Sequence, residues 1–195
     1  MPILVLLRHG QSDWNLEQRF TGWVELDLSE KGVAEARAAG WLLAERGFDF
    51  DLCFTSLHTC AIKTLGLVLD EMDRLWLPVE KHWRLNERHY GGLTGLYHSD
   101  VATKYGDEQV QIWRRRFDVP PPPVEPGSEW NFSGDRRYAG VTMPEQREPQ
   151  GYDRARASLL ERTHRTRSPG MPARPDLRPR QLLARPDQAP SRNPQ

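Results

Sequence analysis

Five apolar residues, Ile3 to Leu7, run directly into Arg8-His9-Gly10. A short aliphatic run ending in a polar turn predicts a buried strand. The glycine lets the chain bend sharply after it. Open α/β sheets carry their chemistry at the carboxyl ends of strands. His9 therefore stands where an imidazole can act as a nucleophile, and Arg8 where a guanidinium fork can grip a phosphate. A three-residue motif also recurs by accident, so at this point the alternative is a strand end carrying two solvated side chains.

The rest of the first 140 residues alternates between strand and helix signals. Residues 10–28 read as a long polar loop. Ser29 is a helix N-cap, and the helix it opens runs to about Arg46 with Val33, Ala36, Leu42 and Leu43 at helical spacing and Gly47 as its stop. Asp51–Ser56 reads as a second strand. His58–Met72 reads as a helix with Ile62, Leu65, Val68 and Leu69 on one face. Pro78–Trp83 reads as a third strand leading into Asn86-Glu87. Shorter helices are expected near Asp100–Lys104 and Glu108–Phe117. The pattern predicts an α/β fold with a mostly parallel sheet flanked by helices.

The 195 residues fit one domain with a tail. Formal net charge is zero, against a general nucleic-acid binder. Residues 1–150 carry 17 Lys+Arg and 23 Asp+Glu, whereas residues 151–195 carry 10 Arg and 4 acids. That last segment also holds 7 prolines and no Val, Ile, Phe or Trp. It cannot bury enough apolar surface to offset its ordering entropy. Disorder is expected there, with one short helix near Arg154–Arg162. Only Cys53 and Cys60 occur, without metal-ligand spacing. They read as reduced thiols of a cytoplasmic protein. The apolar start is too short for a signal peptide, and no stretch reaches transmembrane length.

Further motifs follow the first in order: Gln11-Ser12-Asp13-Trp14-Asn15, Arg19-Phe20-Thr21-Gly22-Trp23, Leu85-Asn86-Glu87-Arg88-His89-Tyr90-Gly91, Tyr105-Gly106-Asp107-Glu108, Trp113-Arg114-Arg115 and Pro120–Pro123. Together they closely resemble the cofactor-dependent phosphoglycerate mutases of the histidine phosphatase superfamily, from residue 3 to about Gly140. The resemblance implies a phosphohistidine mechanism primed by 2,3-bisphosphoglycerate, without a metal. It implies His9 as nucleophile and Glu87 as general acid/base, since moving a phosphoryl group between hydroxyls needs both proton directions. Arg8, Gly10, Gln11, Ser12, Asp13, Trp14, Asn15, Thr21 and Gly22 would line the phosphate and carboxylate pocket. Arg88, His89, Tyr90, Arg114 and Arg115 would close around the rest of the substrate, His89 by packing or a local hydrogen bond rather than by chemistry. Arg116 reads as solvated. A homo-oligomer taking a phosphorylated small molecule is implied, with neither nucleic acid nor membrane as partner.

Three positions depart from the family pattern. Cys60 stands where the family has an arginine, at the loss of a charge-assisted contact worth about 1.5–3 kcal/mol. Lys63, one helical turn on, is a partial substitute. His98 stands where the family has a lysine. The family's late His-Gly-Asn-Ser motif, whose histidine stabilises the transferring charge, is absent, and His164 lacks the strand and glycine that would give it that role. The C-terminal part is thus incomplete against the family.

Codon arithmetic accounts for the break. Read one base later, Arg147 to Glu161 can spell Glu-Ser-Leu-Lys-Asp-Thr-Ile-Ala-Arg-Ala-Leu-Pro-Phe-Trp-Asn, and Pro179 to Ala184 can spell His-Gly-Asn-Ser-Leu-Arg. The expected organisation is a mutase-like domain over residues 1–140 and an Arg/Pro-rich tail over 141–195, out of frame from about Arg147. Three function classes follow: a mutase of glycolysis and gluconeogenesis; an inactive truncated or frameshifted relative, or one with residual histidine-phosphatase activity; and a mutase body with a nucleic-acid-binding tail, which lacks the interleaved aromatics such tails use.

Overall fold

The computed structural model describes residues 3–116 and 118–141. The expected tail helix and tail disorder lie outside the described residues.

The chain is α/β. A four-residue helix, α1 (Asp13–Leu16), interrupts the segment read as an uninterrupted loop. Helix α2 (Glu30–Glu45) starts at Ser29, whose side chain accepts a hydrogen bond from the Gly32 amide. Strand β1 (Cys53–Thr55), helix α3 (Thr59–Glu71) and strand β2 (Val79–Lys81) form a parallel β-α-β unit with Cys53 opposite Val79 and Thr55 opposite Lys81. Helices α4 (His98–Tyr105) and α5 (Asp107–Arg115) follow, joined at Gly106, whose φ of 84° favours glycine.

Ile3–Leu7 corrects the sequence reading. The run is no strand, and Ile3 (75%), Leu4 (60%), Leu6 (83%) and Leu7 (48%) are exposed. An apolar run becomes a strand only when a neighbour takes its backbone hydrogen bonds. Among the described residues β1 and β2 pair only with each other. Burial starts one turn later, at Gly10, whose amide donates to Thr64 Oγ1 at 3.1 Å.

The inner face of α2 also differs from expectation. Its buried residues are Gly32, Ala36 and Gly40, four apart, while Leu42 is 39% exposed. Small residues let the backbones meet. A Cβ on Gly10 would lie 2.2 Å from the Gly32 carbonyl oxygen, and one on Gly40 would lie 2.7 Å from that of Val68 on α3. On α3 the predicted residues Val68 and Leu69 are buried and Leu65 packs on the core, but Cys60 and Thr64 complete the buried set in place of Ile62.

Two apolar clusters hold the fold. Phe20, Leu93, Val101, Val110 and Trp113 join the segment after α1 to α4 and α5. Cys53, Leu69 and Leu77 seal α3 onto the sheet. The proline run crosses the first cluster: Pro121 is fully buried, and the Pro122 carbonyl accepts from the Gly92 amide at 2.8 Å. The His9-Gly10 turn, the N-terminus of α3 and the segment after β2 are thereby brought together.

Candidate phosphoryl-transfer site

His9 and Glu87 face each other, with Nε2 of the ring 4.0 Å from Oε2 of the carboxyl. The other ring nitrogen, Nδ1, lies 2.7 Å from the Gly10 carbonyl oxygen. A carbonyl only accepts, so Nδ1 carries the hydrogen. In the neutral ring Nε2 then presents its lone pair toward Glu87.

Glu87 is held through its main chain. The Trp23 indole donates to its carbonyl at 2.8 Å. Asn86 beside it is fully buried and joins two distant segments: Oδ1 accepts from the Leu57 amide at 3.1 Å, and Nδ2 donates to the Tyr138 hydroxyl at 3.1 Å. Burial pushes the Glu87 carboxyl above its ordinary range, while the charges of His9, Arg8 and Arg88 pull it down. A carboxyl that holds its proton more tightly than a free glutamate, beside an imidazole lone pair, suits a general acid/base.

The remaining candidates separate into groups. Arg8 is exposed and near enough to act on Glu87. Arg88 Nη1 donates to the carbonyls of Trp113 (3.0 Å) and Arg116 (3.3 Å), which ties it to the end of α5. Arg114 and Arg115 occupy the last turn of α5. Gly22, at φ 63°, packs so tightly on the Arg88–Tyr90 backbone that a Cβ there would lie 3.2 Å from the Tyr90 nitrogen. Thr21 is buried next to it.

Other residues of the first motif have structural partners. Gln11 Oε1 accepts from the Ser29 hydroxyl. The Asn15 side chain accepts from the Ser12 amide at the start of α1, where exposed Asp13 fills the first turn, while Ser12 Oγ is buried with no partner among the described residues. Trp14 packs edge-on against Trp130, with Arg19 stacked 3.9 Å from its ring centre. Tyr90 packs on Phe20. His89 Nδ1 accepts from the Gly91 amide, and burial lowers the ring to about 4, leaving it neutral.

Neither substituted position supplies a cation. Burial, with the Glu87 charge, pushes the Cys60 thiol up to about 11. His98 stacks edge-on over Phe20 at 4.5 Å, and burial, with the Arg114 charge, holds it near 4. Lys63 is taken by Asp27.

Sequence reasoning missed Thr64, Trp23, Asn86 and His58. Asn86 had a signal in the Asn-Glu pair. His58 had none: it is buried at 3% exposure, and its Nε2 has no hydrogen-bond partner among the described residues. No group of three or more His, Cys, Asp or Glu among the described residues is arranged to hold a metal ion. No helix among them is long and apolar enough to cross a membrane.

Comparison with known proteins places this geometry. Residues 4–136 match the histidine phosphatase superfamily, branch 1. The chain is 65% identical over 144 residues to the 2,3-bisphosphoglycerate-dependent phosphoglycerate mutase of Sphingopyxis alaskensis, covering 74% of this chain and 63% of that one. It is 63% identical over 145 residues to the protein of the same name from Zymomonas mobilis, covering 74% and 64%. The chain thus spans a little under two thirds of the length of these curated relatives. A solved structure described as a putative α-ribazole-5′-phosphate phosphatase from Escherichia coli superposes with a TM-score of 0.57 at 22% identity, covering 83% of this chain and 66% of that one, and shares the fold. With a family match over more than half its length, laid across the His9 turn and the Glu87 segment, this chain belongs to the histidine phosphatase superfamily, branch 1.

Proposed function

We propose that this chain is built for phosphoryl transfer through His9, as a 2,3-bisphosphoglycerate-dependent phosphoglycerate mutase that interconverts 2- and 3-phosphoglycerate in cytoplasmic glycolysis and gluconeogenesis. One observation carries the reading: the Gly10 carbonyl fixes the hydrogen on Nδ1 of His9 and turns the Nε2 lone pair toward Glu87, 4.0 Å away. The names of the close relatives support the mutase over a phosphatase.

In this reading Nε2 of His9 accepts the phosphoryl group, and the Gly10 carbonyl stabilises the positive charge left on Nδ1–H. Glu87 gives a proton to the departing hydroxyl oxygen and takes one from the attacking hydroxyl on return. Arg8 and Arg88 lower the cost of collecting negative charge between them. The donor chemistry fits a polyanion, because two guanidinium charges already act on the Glu87 carboxyl. Arg8, Arg88, Arg114 and Arg115 would hold 2,3-bisphosphoglycerate, which when bound supplies the priming phosphoryl group. Residues 1–140 form the mutase-like domain in this proposal, and the chain from about Arg147 onward is an out-of-frame product. Sequencing the gene tests the latter: a single-base insertion or deletion near codons 140–147 restores the His-Gly-Asn-Ser segment. A homo-oligomer is part of the reading.

A second reading rests on the exposure of Ile3–Leu7 and the neutral thiol at Cys60. It makes the chain an inactive relative, or one limited to phosphatase action. Incubation with 2,3-bisphosphoglycerate, a coupled mutase assay and mass-spectrometric mapping of phosphate decide between the two. Phosphate on His9 with turnover is the expected result. A soluble, folded chain with neither overturns the mutase reading.

A further inference from the structure

His58 has a fixed backbone and, among the described residues, one unpartnered ring nitrogen, Nε2. It caps α3 in extended conformation, with its amide donating to Ser56 Oγ at 3.2 Å and its carbonyl accepting from the Ala61 and Ile62 amides at 3.1 and 3.0 Å. The preceding residue is pinned by Asn86 Oδ1, so the cap sits beside the Asn86-Glu87 segment. Nε2 of the ring is nevertheless buried without a partner among the described residues, while the residue as a whole is 3% exposed. Buried polar atoms are almost always paired, because leaving water without a new hydrogen bond is costly. Such an atom next to a reactive centre calls for an explanation by ligand.

The surroundings say what kind of ligand. The Gly10 amide donates to Thr64 Oγ1 on α3, and the Leu57 amide just before the helix donates to Asn86 Oδ1. The N-terminal half of α3, which His58 opens, therefore packs against both the His9-Gly10 turn and the Asn86-Glu87 segment. The N-terminus of this 13-residue helix carries partial positive charge and favours an anion. His89, the other deeply buried histidine of the region, is satisfied: Nδ1 accepts from Gly91, and the ring lies between Trp23 and Phe132.

We propose that His58 is a phosphoryl-binding residue of this site, donating from Nε2–H to an oxygen of the phosphoryl group at His9. The inference rests on the phosphoryl-transfer reading above and adds a donor that reading does not require. No proton need be gained, because the neutral ring can carry its hydrogen on Nε2. This suits a ring that burial, and then the His9 charge, hold near 4. A bound phosphate dianion strengthens the contact as a charge-assisted hydrogen bond.

The test uses the full chain with ¹⁵N-labelled histidine, titrated with inorganic phosphate and followed through the ring nitrogens. The His58 and His9 signals are expected to move together with one apparent Kd. His58→Leu is expected to weaken phosphate binding about tenfold, and His58→Gln, which keeps an N–H donor, to recover most of it. Because the leucine removes an unpaired polar atom, His58→Leu is also expected to raise the thermal midpoint of the free chain, whereas loss of a merely structural histidine would lower it. If phosphate moves His9 but leaves His58 still, and His58→Leu binds as tightly as the parent, the proposal is overturned while the phosphoryl-transfer reading stands. If phosphate moves neither ring, both are overturned.

Discussion

Asn86 and Tyr138, fifty-two residues apart, meet in a buried hydrogen bond of 3.1 Å from Nδ2 to the hydroxyl. The same asparagine holds the Leu57 amide with its other polar atom. One side chain thus locks the α3 cap and the Tyr138 turn around the residue before Glu87. Tyr138→Phe removes one neutral hydrogen bond and should cost about 1 kcal/mol. Asn86→Ala removes both hydrogen bonds of a fully buried side chain and leaves a cavity, and should cost about 3 kcal/mol. Urea midpoints at constant slope measure both.

Glycines on α2 and α3 offer a matched pair. Gly40→Ala brings a methyl to 2.7 Å from the Val68 carbonyl oxygen, and the helices must part to admit it. A loss of about 2 kcal/mol is expected. Gly66 lies inside α3, and a Cβ there meets nothing within 4 Å. Gly66→Ala should therefore gain about 0.5–1 kcal/mol from helix propensity. Thermal midpoints moving in opposite directions confirm the pair, and a stabilising Gly40→Ala refutes the close packing of α2 on α3.

Acid should unfold this chain through its buried histidines. Burial holds His58 and His89 near 4, against an ordinary value of 6.5. Between those values the unfolded chain binds more protons than the folded one, so stability is complete above 6.5 and falls as the pH drops toward 4. Replacing His89 with Gln should flatten that fall by one proton's worth of slope, as read from denaturation midpoints across the window.

Glu87 titrates with the opposite consequence. Burial raises its carboxyl from the ordinary 4.5, so folding favours the protonated form and stability declines as pH rises through that interval. The proton available for transfer persists to higher pH than for a free glutamate, and the acid-dependent step should weaken on the alkaline side. Glu87→Gln should lower turnover by about 10²–10⁴-fold and remove that limb of the pH profile. An unchanged profile would move the acid/base role elsewhere.

Both cysteines should be silent to a thiol reagent in the folded chain. Cys53 and Cys60 are buried, and burial raises both thiols, Cys60 to about 11. The thiolate is the reactive form. Labelling should follow unfolding, with two thiols appearing together in denaturant. Fast labelling of Cys60 in the native chain would place it at the surface instead.

The sequence by itself determined where α2, the β1-α3-β2 unit, α4 and α5 lie, and it singled out His9 and Glu87. Ser29 and Gly47 bracket α2, the β1-α3-β2 unit is legible in its hydrophobic periods, and His9 and Glu87 each stand beside readable motifs. Local information suffices there because caps, turns and periodicity act within a few residues. Tertiary structure alone decided the rest. Ile3–Leu7 reads as a strand because it is apolar, yet it is exposed where no neighbour among the described residues takes its hydrogen bonds. The partners of Gln11 and Asn15 are invisible in one dimension: Gln11 Oε1 accepts from the Ser29 hydroxyl at the start of α2, and Asn15 Oδ1 accepts from the Ser12 amide at the start of α1. His58 carries no motif at all; only the fold buries its ring at the start of α3, with Nε2 unpartnered among the described residues. A side chain's chemistry is written in the sequence, but its partners, its burial and its proton affinity arise when distant segments close on it.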